Sequence, residues 1–207
     1  MEKELLLRGI VLGFAIAAPV GPIGVLCIRR TLAEGGIVGV VSGLGAATAD
    51  AIYGCIAGFG LTVIANVLVH QKAWLGLIGG IFLCYLGIKT LLSKPAEQAA
   101  STIAANLIQA YASTLLLTLA NPMTILAFAA MFAGLGLSST PKNHLSAVVL
   151  VLGVFIGSAL WWVCLSSSVS LLRQRFNLDG LRWVNRISGI IIIVFGVLAL
   201  LSLIQAQ

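Results

Sequence analysis

One acid and two proline motifs are the residues of this chain best placed to do chemistry. Asp50 is the only carboxylate inside any apolar run; Glu2, Glu4, Glu34, Glu97 and Asp179 fall at the N-terminus or in expected loops. A carboxylate deep in a bilayer costs about 2.5–3.5 kcal/mol on insertion scales. It can repay that cost by binding a cation or a proton, or it can stay neutral and bond a neighbouring helix. Tyr53, three positions on, shares its neighbourhood. The second group is APVGPIG at residues 18–24, with Pro19, Gly21, Pro22 and Gly24. Each proline removes a backbone donor, and its ring clashes with the preceding turn. A broken helix exposes N–H groups at the start of its second half, where the dipole is positive. Groups near Gly21 to Gly24 could therefore hold a carboxylate without any arginine in the membrane. The third group is Asn121-Pro122, which could offer a side-chain amide to a ligand or satisfy the backbone that the proline frees.

The surrounding composition says where this chemistry happens. Of 207 residues, 60% are hydrophobic and 9% are charged, against about 25% charged in soluble domains. No polar stretch is long enough for a separate soluble domain, so residues 1–207 are read as one transmembrane transport domain. The net charge of +6 shows no basic stripe interleaved with aromatics, which speaks against nucleic acid. Cys27, Cys55, Cys84 and Cys164 belong to different apolar segments and form no C-x-x-C pair. They read as packing residues, with no disulfide framework and no metal site. There is no H-E-x-x-H motif, no second acid at depth and no histidine at depth. The chain is expected not to be an enzyme and to need no cofactor. An ion or metal transporter or channel is the alternative, and it would want more oxygen or sulfur ligands at depth than one carboxylate.

Six apolar spans are expected, at about 5–28, 37–65, 73–92, 107–137, 145–172 and 183–204. Each is near or above the ~20 residues that cross a bilayer as a helix. The run from Leu5 continues past Ala17 to Ile28, which argues against a cleaved leader over residues 1–17. Within the second span, Asp50 lies 13 residues after Ile37, or about 20 Å along a helix. That depth is near the membrane centre. Gly39, Gly43, Ala46 and Gly54 share its helical face, so this face should meet other helices closely.

The two halves read as repeats, about 5–92 and 107–204. Trp74, Ile78, Gly80, Ile81, Gly87 and Leu91 match Trp183, Ile187, Gly189, Ile190, Gly196 and Leu200 at an offset of 109. Pro22 matches Pro122 at an offset of 100. Three spans per repeat invert the second against the first, a pattern that points to a transporter with its site near the midplane. The fold expected is therefore an all-α membrane protein of six transmembrane helices in two inverted repeats, with helices 1 and 4 broken at the proline motifs. Loop charge sets orientation. Lys3, Arg8, Lys72 and Lys142 lie on the side of the N-terminus, against Arg29, Arg30, Lys89, Lys94, Arg173, Arg175, Arg182 and Arg186 on the other. The basic side is expected in the cytoplasm, with both termini outside. Trp161 and Trp162 fall near the repeat-equivalent of Asp50 and read as packing or interface residues, with substrate stacking as the sharper alternative.

APVGPIGVLCIRRTL, then GLGAATADAIYG at 43–54, then LANPMTILAF at 119–128 together resemble the LysE/RhtB-type amino-acid exporter family. The resemblance runs from about Leu12 to Leu200. It implies a bacterial inner-membrane secondary transporter that exports amino acids or related small amines, driven by protons. The partners implied are a small-molecule substrate and the lipid bilayer, and a homo-oligomer is left open.

Overall fold

The computed structural model describes residues 2–19, 21–59, 72–92, 103–121, 124–125, 127–128, 144–173 and 178–204. Among these the chain forms α-helices and no strand. The helices are α1 (Glu2–Ala17), α2 (Pro22–Glu34), α3 (Gly36–Gly58), α4 (Lys72–Leu91), α5 (Ile103–Leu119), α6 (His144–Arg173) and α7 (Leu178–Ile204). Segments Gly36–Ile56, His144–Leu172 and Asp179–Leu201 are each long and apolar enough to cross a membrane. Helices α1 and α2 pass that test together, although their axes meet at 82°. The shorter apolar helices Gly76–Leu91 and Leu107–Leu119 fall within the third and fourth expected spans. Large apolar side chains such as Ile78, Leu152 and Ile190 are exposed on the outer faces, as lipid-facing positions would be.

Small residues let the helices approach. In α1, Gly9, Gly13 and Ala17 are buried at four-residue intervals, a stripe that faces Gly153 and Gly157 of α6. A Cβ on Gly13 would strike the backbone of Val154, and one on Gly157 the backbone of Ile10. The contacts advance together along both helices, so α1 and α6 run parallel. Helices α4 and α7 pack antiparallel, with Gly80 against Gly196 and Gly87 against Gly189. Along α3, Gly39, Gly43 and Gly54 meet Ser166, Trp162 and Val154 of α6 in reverse order. That pair is antiparallel. On another face of α3, Gly45 meets Tyr111 and Leu115 of α5, and Tyr53 bonds Leu119 further along. Those two helices are parallel. With little hydrophobic drive between helices in lipid, such close backbone approach supplies the packing that holds the bundle.

The polar loop expected at Arg29, Arg30 and Glu34 is absent. All three residues belong to α2, and Gly35 alone separates α2 from α3. Gly35 has φ 112° and its N–H donates to the carbonyls of Arg30 and Thr31, at 3.1 and 3.2 Å. Only glycine adopts such a helix end without steric cost.

Candidate functional site

Pro22 opens α2 and Gly21 is its N-cap, with φ −100° and no side-chain cap. Proline suits that place because its missing N–H has no helical partner there anyway. The first backbone bond of α2 runs from the N–H of Val25 to the carbonyl of Gly21, at 3.0 Å. The N–H groups of Ile23 and Gly24 precede that bond and so lack helical acceptors. At the other motif, α5 ends at Leu119. The Asn121 carbonyl then accepts the N–H of Thr124 and of Ile125, at 3.1 and 3.2 Å. A new helical turn therefore starts at Asn121, as one starts at Gly21. Pro122 lies outside the described residues.

Both starts open on one cavity of about 360 Å³. Pro19, Gly21, Pro22 and Gly24 line it from the α1–α2 junction, Asn121 and Thr118 from the end of α5, and Asp50 and Ala46 from α3. Trp162 of α6 and Phe195 of α7 complete much of the wall, and Asp50 is the only charged residue among the described residues of the lining. Asp50 is 3% exposed. Ser158 of α6 donates to its Oδ2 at 2.6 Å. The small face expected around Asp50 meets α6, which brings that hydroxyl within reach.

Tyr53 is near Asp50 but bonds elsewhere. Its hydroxyl donates to the Leu119 carbonyl at 2.6 Å, and its ring lies 5.2 Å from that of Phe128. It is buried and does not line the cavity. It ties α3 to the last turn of α5, just before Asn121. Trp161, beside Trp162, packs edge-on against Phe14 at 5.2 Å.

Arg30 is the polar residue that loop reasoning misplaced. It is 6% exposed. Its guanidinium donates to Ser42 at 3.0 Å, to the Ala110 carbonyl at 3.0 Å, and to Thr114 and Ser113 at 2.8 Å each. Arg29 donates to Asn185 of α7 at 3.0 Å and pairs with Glu34 at 2.8 Å. Adjacent arginines thus pin α2 to α3 and α5 on one side and to α7 on the other. The sequence signal was the set of hydroxyls Ser42, Ser113 and Thr114 near the starts of two apolar runs.

Among the described residues, helices with apolar outer faces surround a cavity lined by a buried acid, an arrangement that suits a membrane transporter. The profile of the LysE type translocator family matches residues 14–203. The chain belongs to the LysE-type translocator family. It is 30% identical over 196 residues, 93% of both chains, to a Bacillus subtilis (strain 168) protein with the provisional name amino acid efflux protein YcgF. It is 27% identical to the uncharacterized membrane protein YahN of Escherichia coli (strain K12), over 81% of this chain and 76% of that one. It is 28% identical to the uncharacterized membrane protein slr1627 of Synechocystis sp. (strain ATCC 27184 / PCC 6803 / Kazusa), over 90% of this chain and 91% of that one. No solved structure matches.

Proposed function

We propose that the chain is a proton-coupled exporter of amino acids or related small amines, acting across the bacterial inner membrane. The observation that carries this reading is the shared cavity, where two helix starts and one buried carboxylate meet. The N–H groups of Ile23 and Gly24, at the positive end of α2, suit an α-carboxylate. Asp50 suits an α-ammonium. Burial disfavours its bare charge, and a bound ammonium favours it. Substrate and proton would then compete for one group, which is the exchange a proton-driven exporter needs. The resemblance to a protein named for amino acid efflux supports the substrate class.

The helix directions support six crossings in one domain of two inverted repeats, with α1 and α2 as one broken crossing. In an alternating chain, α1 and α6 are parallel, α3 and α5 are parallel, and α3–α6 and α4–α7 are antiparallel. All four agree with the packing. Exchanging the repeats turns the α1–α6 pair into the α5–α3 pair and maps the other two onto themselves. The initiating bonds also correspond, since Val25 to Gly21 and Ile125 to Asn121 are offset by 100. Alternating access would come from one repeat rocking on the other around the cavity. With Arg29 and Arg30 both inside α2, the remaining charges stand at six against four, and the orientation with both termini outside is kept.

The test is export itself. Cells that overproduce the protein should lower their internal level of at least one amino acid and enrich it in the medium. A full metabolite comparison with no amino acid or amine exported would end this reading.

A further inference from the structure

Trp162 lines the cavity and carries a buried polar atom that has no partner among the described residues. The residue is 4% exposed and lines the space beside Asp50. Its Nε1 is buried and has no hydrogen-bond acceptor among the described residues. A buried donor without a partner is a standing cost that native structures rarely carry without a reason. Its position is fixed by packing, because Gly43 of α3 lies against it and a Cβ there would strike Trp162 Cβ and Cγ. The charge of the cavity bears on what could complete that bond. Among the described residues of its lining Asp50 alone is charged, and no other carboxylate lies inside an apolar run. A ligand with two ammonium groups would bring one charge that meets no counter-charge among those residues. A carboxylate would find neutral donors among them. The volume of about 360 Å³ is near the lower end of ligand pockets.

We infer that the site takes small amino acids with a single ammonium group, and that the Trp162 indole N–H donates to their carboxylate. The inference rests on the exporter reading above and adds a residue and a substrate class to it. In the bound state the ammonium sits at Asp50. The carboxylate is shared between the start of α2 and Trp162. Dibasic amino acids are disfavoured because the desolvated second charge has no counter-charge.

The experiment uses full-length protein in proteoliposomes. Labelled L-alanine, L-serine, L-threonine, L-leucine and L-lysine are tested for binding, and the best ligand is set against its decarboxylated amine as competitor. Trp162→Phe keeps an aromatic ring and removes the N–H. It should weaken the amino acid about tenfold or more, the usual scale for a hydrogen bond to a charged group. It should leave inhibition by the amine unchanged. A variant with Trp74, Trp161 and Trp183 all replaced by Phe leaves Trp162 as the only tryptophan, which can be excited selectively. Its emission should shift saturably with the amino acid, which provides a readout even if Trp162→Phe does not fold. Equal weakening of amino acid and amine, or no weakening of either, overturns the role of Trp162, as does unchanged emission at saturating ligand. Preference for L-lysine overturns the single-ammonium class while leaving the exporter reading intact. Failure of the wild-type protein to bind any of the five overturns the inference about this site, while the metabolite comparison above decides the exporter reading separately.

Discussion

At the scale of single residues, Tyr53 and Arg30 show what a position in the sequence conceals. Helical spacing puts Tyr53 near Asp50, yet its hydroxyl reaches the Leu119 carbonyl instead of the cavity. Tyr53→Phe should therefore lower stability by about 1 kcal/mol, the usual worth of one hydrogen bond. Substrate affinity should be unchanged. Thermal unfolding in detergent and a binding titration check the pair, and a weaker affinity at unchanged stability would put Tyr53 back at the site. Arg30 reads as a loop cation because loop charges gather where apolar runs end. Its partners Ser42, Ser113 and Thr114 lie 12 to 84 positions away, on two other helices. No local pattern reveals that meeting. Arg30→Ala should unfold at lower temperature and lose transport, since it frees α2 from both α3 and α5. Asp50 stands out in the sequence for a simpler reason: a lone acid in an apolar run is costly.

At the scale of helices, glycine separates packing from function. Gly13 and Gly21 are only eight residues apart but differ in surroundings. A Cβ at Gly13 would collide with the Val154 backbone, whereas one at Gly21 meets nothing within 4 Å. Gly13→Ala should cost about 1–3 kcal/mol or more through overpacking and reduce the folded yield. Gly21→Ala should fold as the wild type, because its φ of −100° suits any residue. Size-exclusion profiles and melting curves of the two purified variants decide it, and equal behaviour would contradict the α1–α6 packing. Sequence can raise a break at the proline motif as an expectation because proline acts on its own chain. The turn at Gly35 did not, because two adjacent glycines after Glu34 fit an ordinary loop equally well.

At the scale of the whole molecule, composition alone placed the chain in the membrane, and the resemblance in three motifs led to its family. The helix pairing needed coordinates, since small residues mark which faces are close without saying which helices meet. Orientation can be read with single cysteines at Gln71 and Gln98 in a background without Cys27, Cys55, Cys84 and Cys164. An impermeant reagent added outside should label the first and spare the second; the opposite pattern would invert the protein. The account depends most on the carboxylate in the shared cavity. Asp50→Asn keeps the size and can still accept the bond from Ser158, but it cannot ionise. Everted vesicles with an imposed pH gradient and a labelled amino acid measure what remains. The account predicts a variant present in the membrane at normal levels that has lost gradient-driven uptake. Uptake equal to the wild type would contradict it.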